Sequence, residues 1–330
     1  MTRVLSGMQP SGALHLGNWK GALENWVRLQ EQYESYFMVA DWHALTSRYH
    51  DTRDIPELIR AMVVDWLAGG LDPRRAIIFV QSAVPHHAEL HLLFSMVTPL
   101  GWLERVPSYK EKLRELAHRD IHTYGFLGYP VLQAADIAIY RAELVPVGQD
   151  QVPHVELTRE IVRRFNSIYG PVLAEPDALL TEAKVLPGLD GKKMSKSYGN
   201  TIGLGDSAEE VADKIRTMVT DPARIRRSDP GHPEICPVFH LHQVFTPAAE
   251  RLDIGERCRR AEIGCVQCKS RLAATLNADL APVRERRAFW SHRPREVDEI
   301  LVQGAERAAV DAEETMARVR AAAHLQAGRR

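Results

Sequence analysis

Short apolar runs alternating with longer amphipathic stretches fill the first half of this 330-residue chain, and they constrain its fold more than any other feature. Residues 4–6, 36–40, 77–81 and 144–147 read as strands buried on both faces. Residues 19–31, 55–68, 88–97 and 155–165 read as helices between them. Gly69-Gly70 and Asp72-Pro73 stop the second of these. The alternation predicts an α/β fold, a Rossmann-like doubly wound parallel sheet with ligands beyond the carboxyl ends of its strands. After Gly205 the strand pattern ends. Ser207 with Glu210 three places later matches a capping box, and residues 209–220, 247–257, 266–287 and 295–323 read as helices. The last is long, Ala-rich and charged, and is expected on the surface. Pro187 and five glycines gather between 185 and 205. The expectation is therefore a catalytic domain over 1–195 and an all-helical C-terminal domain over 196–330.

A hydrophobic content of 45% and a charged content of 26% suit a globular protein. No run of eighteen apolar residues exists to cross a membrane, and the N-terminus lacks the apolar stretch of a signal peptide. A cytoplasmic location without membrane attachment is the expectation. The net charge of −1 gives no sign of a general nucleic-acid binder, and no DNA partner is expected. Locally, residues 214–271 hold eleven Lys or Arg against seven Asp or Glu. Arg224, Arg226 and Arg227 cluster, as do Arg257, Arg259 and Arg260. These read either as a solvated helix face or as a patch for phosphates.

Two motifs carry nucleotide chemistry. Gly7-Met8-Gln9-Pro10-Ser11-Gly12-Ala13-Leu14-His15-Leu16-Gly17-Asn18 follows the first strand and opens a helix. Gly12 permits a tight turn, Gly17 lets a flat base or phosphate approach, and the helix start offers N–H groups to an anion. His15 can donate to a phosphate without a strong fixed charge. Lys192-Lys193-Met194-Ser195-Lys196-Ser197 lies in a glycine-rich loop. Two lysines flanked by hydroxyls can grip a triphosphate and neutralise charge on departing pyrophosphate. Taken singly, each motif also reads as an ordinary turn or a basic surface loop. The Walker lysine motif is absent, as is the dinucleotide-type Gly-x-Gly-x-x-Gly after the first strand.

Together, in this order, the two motifs resemble those of the class I aminoacyl-tRNA synthetases. Three more segments narrow the likeness: 39–46, which ends a strand; 129–137, which puts Asp136 on an otherwise apolar helix; and Val147-Gly148-Gln149-Asp150-Gln151. They look like the tryptophanyl branch more than the tyrosyl one. The likeness is clear from about residue 3 to 200 and weaker beyond. It implies catalytic roles for His15, Asn18, Lys193 and Lys196. It implies ATP contacts from Gln9, Pro10, Ser11, Gly17, Asn18, Gly148, Gln149, Asp150, Val185, Lys193, Met194, Ser195, Lys196 and Ser197. Leu5, Gly7, His43, Gln133, Val145, Val147 and Gln151 should line the amino-acid site around Asp136. Some members carry Met where this chain has Gln133, which makes the rim more polar. Indole offers one N–H donor, and a buried Asp136 would accept it; the bland alternative is a helix cap or a solvated edge. The implied reaction activates L-tryptophan with ATP and Mg²⁺, then esterifies the terminal ribose of tRNA(Trp). The family also implies a homodimer.

All four cysteines lie in the second half, spaced Cys236-x21-Cys258-x6-Cys265-x2-Cys268. Four thiolates suit zinc or a [4Fe–4S] cluster, and free buried thiols are a third reading. A subset of the family's bacterial members carries the iron–sulfur cluster in the tRNA-binding domain at nearly this spacing. Arg257, Arg259, Arg260, Lys269 and Arg271 around the cysteines suit anticodon recognition. Two other functions stay open on sequence alone: a related nucleotidyl transferase acting on another small acid, and a paralogue kept as a binding protein.

Overall fold

The computed structural model of the chain describes residues 1–106, 109–110, 121–181 and 185–325. Among these, five strands form one parallel sheet: β1 (Arg3–Met8), β2 (Glu34–Val39), β3 (Ala76–Val80), β4 (Leu144–Val147) and β5 (Asp177–Leu180), in the order β3-β2-β1-β4-β5. Four match the apolar runs of the sequence. The fifth, β5, is a half-exposed edge strand and therefore lacks the continuous apolar signal. Successive residues of the central strands go to opposite faces. Phe37 and Val39 enter one core with Val4 and Ile78, while Tyr36 and Met38 enter the other with Leu5 and Phe79.

Helices fill both faces. The first, α1, begins as Leu16–Asn18, passes through a π-helical turn at Trp19–Leu23 and ends as Glu24–Leu29. Then follow α2 (Asp41–Arg48), α3 (Ile55–Gly69), α4 (His86–Val97), α5 (Tyr124–Ile139) and α6 (Val152–Tyr169). Helix α3 ends at Gly70, whose φ of 114° needs glycine. The segment 39–46, read as a strand end, turns into α2 directly after Val39. Asp41 links this start to β3, accepting from the N–H of Ser82 at 3.0 Å and from its hydroxyl.

Beyond residue 205 the described chain is helical: α7 (Ala208–Thr217), α8 (Pro237–Phe245), α9 (Ala248–Arg259), α10 (Cys265–Ser291) and α11 (Pro294–Ala322). The capping box forms, with Glu210 N–H donating to Ser207 Oγ at 3.1 Å and Ser207 N–H to Glu210 Oε2 at 2.7 Å. The 27 residues of α10 span about 40 Å. Its C-terminal turns return to the first half: Arg286 Nε donates to Ala68 O at 2.6 Å and Arg287 Nε to Asp65 Oδ1 at 2.7 Å. Helix α11 is not a surface element alone. Ala305, Ala308, Ala312, Met316 and Val319 are buried in the same core as Leu5 and Tyr36. Gly304 lies so close to β3 that a Cβ there would stand 1.9 Å from Ile78 O. Thus α11 covers the outer strand β3 and leaves that edge unavailable for pairing.

Candidate active site

The strand order reverses between β1 and β4, and the main cleft opens there, beyond the carboxyl ends of these strands. It encloses about 370 Å³. Leu5, Gly7, His43, Gln133, Asp136, Val145, Val147 and Gln151 all line it, together with Gln9 and Gly148. Strands β1 and β4 supply the floor, α5 brings Asp136 and Gln133, and α2 brings His43. Tyr129, His154 and Trp26 complete the wall, and sequence reasoning did not single them out.

Asp136 is 2% exposed and does not stand alone. Its Oδ2 accepts from His43 Nε2 at 2.7 Å, and its Oδ1 accepts from Gln81 Nε2 at 2.8 Å and His87 Nδ1 at 2.7 Å. Burial pushes its pKa up, but the hydrogen bonds donated by His43 and His87 oppose it, and the net shift holds Asp136 far below the ordinary carboxylate range. An ionised carboxylate has about four acceptor positions, so three donors leave one. That position can take one more hydrogen-bond donor from within the cleft. Gln81 and His87 were missed because they lie on a different strand end and helix, 55 and 49 residues away from Asp136.

At the turn after β1, His15 caps α1. Its Nδ1 accepts from Asn18 N–H at 3.3 Å, and Asn18 Oδ1 accepts from His15 N–H at 3.1 Å. Burial first, and the Lys196 charge second, lower the His15 pKa to about 4. The ring is therefore neutral near pH 7, and with Nδ1 accepting, Nε2 carries the hydrogen as a donor. Leu16 N–H is already bound to Ile202 O at 2.9 Å. Among the described residues this leaves Gly17 as the first-turn N–H available to an anion, fewer donors than a bare helix start.

The lysine loop is joined to this turn. Lys196 Nζ donates to Ser11 O at 2.9 Å, Ser11 Oγ at 3.2 Å and Gly12 O at 2.8 Å. Burial lowers its pKa, with Asp65 opposing. Asn200, buried and unremarked in the sequence, braces the loop through Ser195 N–H at 2.8 Å and Lys193 O at 3.1 Å. Lys193 and Ser197 are exposed, and the Ser195 and Ser197 hydroxyls meet at 2.8 Å. Met194 is buried in the core, so its side chain anchors the loop. Pro10 is buried, whereas Gln149 and Asp150 are exposed beside the cleft and Val185 is 66% exposed. Beneath the turn, the fully buried Asp65 accepts Leu14 N–H at 2.6 Å through Oδ2 while its Oδ1 takes Arg287.

The cysteine region lies at the other end of α10. Cys236 and Cys268 are buried, Cys258 and Cys265 half-buried, and all four are free. Each of Cys236, Cys258 and Cys268 has its pKa raised by burial first and also by the other thiols, which puts the four within electrostatic range. As placed, no three His, Cys, Asp or Glu among the described residues form a metal-binding set. The basic patch is smaller than its sequence suggests. Arg259 pairs with Glu234, Arg260 with Glu262, and Arg257 and Arg271 with Asp253. Lys269 Nζ is spent on Arg216 O at 2.9 Å. Arg226 and Arg227 remain exposed, lining a groove with Ile225, Cys265 and Val266.

Residues 1–281 match the family model of class I tRNA synthetases for tryptophan and tyrosine. The chain is 53% identical over 325 residues to the tryptophan–tRNA ligase of Thermotoga maritima, covering 98% of this chain and 99% of that one. It is 45% identical to the tryptophan–tRNA ligase of Ralstonia nicotianae, covering 98% of each. Among solved structures it resembles tryptophanyl-tRNA synthetase from Campylobacter jejuni complexed with ADP and tryptophan. There the TM-score is 0.88 and the identity 34%, covering 98% of this chain and 100% of that one.

Proposed function

The chain belongs to the class I tRNA synthetases for tryptophan and tyrosine, as one of the tryptophan–tRNA ligases, and from that premise we propose how its residues divide the work. The enzyme joins L-tryptophan to ATP, releases pyrophosphate and transfers tryptophan to tRNA. Asp136 takes the indole N–H on its remaining acceptor position, and Leu5, Gly7, Val145 and Val147 pack the ring. His43, Gln133 and Gln151 border it. The single observation that carries this assignment is the buried, ionised Asp136 with three donors and one lone pair to spare.

In the first step the tryptophan carboxylate attacks the α-phosphate of MgATP, and pyrophosphate leaves. His15 Nε2–H and Gly17 N–H donate to the phosphate chain, with Asn18 holding His15 in its tautomer. Lys193 and Lys196 neutralise the charge growing on the leaving pyrophosphate, while Ser195 and Ser197 donate through their hydroxyls. Gln9, Pro10, Ser11, Gly148, Gln149, Asp150 and Val185 surround the nucleoside. In the second step the terminal ribose hydroxyl, the 2′-hydroxyl by family likeness, attacks the activated carbonyl. Positioning and electrostatics supply the catalysis, without a protein nucleophile. Tryptophan-dependent pyrophosphate exchange tests the assignment. Exchange with tryptophan and not with phenylalanine is expected; exchange driven by an unrelated acid would overturn it.

The four cysteines are proposed to hold a metal group, a [4Fe–4S] cluster ahead of zinc. Arg224 is the observation in favour. It is buried, its Nε has no partner, and its remaining bonds go to the carbonyls of Arg227 and Ile263 and to Cys258 Sγ at 3.7 Å. A buried cation of this kind fits a set of thiolates better than neutral thiols. Cys236, Cys258, Cys265 and Cys268 would be the ligands, and the group would supply a fixed cross-link between α8, α9 and α10 beside the groove of Arg226 and Arg227. That groove is the proposed contact for tRNA(Trp), within a helical domain taken as 196–330 against a catalytic domain of 1–195. Brown protein with four irons per chain after anaerobic purification is expected; colourless protein with one zinc would favour the alternative. Leu92, Met96 and Leu100, exposed together on α4 and the turn after it, support a homodimer. A cytoplasmic location is proposed from the family likeness; no described helix is long and apolar enough to cross a membrane.

A further inference from the structure

Two of the groups around Asp136 lead away from the cleft. His87 is fully buried, with Nδ1 on Asp136 Oδ1 at 2.7 Å and Nε2 on the Tyr140 hydroxyl at 2.6 Å. Tyr140 is also fully buried, its ring stacked on Tyr36 at 4.7 Å and set edge-on to Phe79 at 5.5 Å. These contacts fix the direction of every hydrogen bond. An ionised carboxylate only accepts, so His87 Nδ1 and His43 Nε2 carry the hydrogens and Gln81 presents its amide N–H. A second hydrogen on His87, at Nε2, would turn the Tyr140 O–H away from its one partner among the described residues. A buried, unpaired hydroxyl hydrogen is costly. His87 is therefore neutral, and Tyr140 donates to it.

The consequence is asymmetric. Oδ1 receives Gln81 and His87 and has no position left. Oδ2 receives His43 alone, and both Asp136 and His43 line the cleft. We infer that His87 and Tyr140, which do not line the cleft, are specificity-determining positioning residues that saturate Oδ1 and fix the carboxylate so that its single free acceptor position faces the indole. The inference rests on the reading that Asp136 takes the indole N–H, and it goes further by placing part of the discrimination in two residues outside the cleft.

The test compares tryptophan with its benzothiophene analogue, in which sulfur replaces the N–H at nearly the same shape. The quantity read is the ratio of their kcat/KM values in pyrophosphate exchange. Asp136→Ala checks the underlying reading: the ratio should fall to near one, and a retained preference would refute the indole assignment itself. Given that collapse, Tyr140→Phe, which keeps ring and volume, should lower the ratio about three- to tenfold. His87→Leu should lower it more than about tenfold, and His87→Asn, which retains an amide N–H near the Nδ1 position, should restore most of it. The kcat/KM for the analogue and the KM for ATP should change less than about threefold, which separates positioning from general damage. An unchanged ratio in Tyr140→Phe, with Asp136→Ala collapsed, would overturn the proposal even if His87→Leu failed to fold.

Discussion

On the amino-acid side of the cleft, Asp136 is buried and gripped by donors from α2, the end of β3 and α4. On the nucleotide side, Lys196 reaches Ser11 and Gly12 from a loop on which Lys193 and Ser197 lie exposed. The first arrangement is complete without any part of the second. It resembles a packed core in which three donors fix one carboxylate before substrate arrives, so on the proposed reading selection costs little reorganisation. The second holds Lys196 by three bonds and leaves Lys193 exposed, and under the proposed mechanism that lets the two cations follow charge as it moves from ATP to pyrophosphate. On the proposed reading the ligase separates choosing the side chain from promoting the reaction, and the separation makes distinct demands on mutants.

The largest effect should come from the selecting side. Asp136→Ala is expected to lower kcat/KM for tryptophan by about a thousandfold, since His43, Gln81 and His87 would lose their common acceptor. The KM for ATP should move less than about threefold, and a parallel loss for ATP would break the separation. Next comes Lys196→Ala, with single-turnover adenylate formation slowed about a hundredfold; rates within a factor of three of the parent would remove Lys196 from the reaction. Asp65→Asn should cost less, about tenfold in kcat/KM for ATP. The amide keeps one acceptor where the carboxylate served both Leu14 N–H and Arg287. Unchanged ATP kinetics would make Asp65 a strut for α10 only.

The smallest effect is a titration. His15 is held down to about 4 by burial and the Lys196 charge, against an ordinary 6.5. Its neutral form therefore contributes stability that is complete above about pH 6.5 and is lost as pH falls towards 4. Proton NMR of the His15 ring should show a midpoint near 4. In Lys196→Ala it should rise only part of the way, because burial is the greater cause; a midpoint of 6.5 in the parent would mean the loop does not lie over the turn.

What could be read from the sequence was set by local pattern. The strand–turn–helix around His15, the lysine loop and Asp136 on its apolar helix are contiguous segments, and all eight residues expected around tryptophan line one cleft. What escaped depends on distant pairing. Nothing in the periodicity of α4 marks His87 as the partner of Tyr140, 53 residues later, or Asp65 as that of Arg287, 222 residues later. Helix α2 was hidden because no Gly or Pro separates it from β2. For α11 a signal existed. Ala305, Ala308, Ala312, Met316 and Val319 recur at helical spacing, but alanine on a charged helix reads as solvated, and only contact with β3 reveals it as a buried face. The basic cluster was left open between a solvated face and a phosphate patch, because a count of charges along the chain does not say that Arg257, Arg259, Arg260 and Arg271 meet Asp253, Glu234 and Glu262 in the fold.

The separation of selection from catalysis is tested most directly by calorimetric titration of tryptophan, without ATP, into the parent enzyme and into a variant with Lys193 and Lys196 both replaced by Ala. Equal dissociation constants, within about twofold, are predicted because no group on Asp136 comes from the loop. A tenfold weaker tryptophan affinity in the variant would contradict the account.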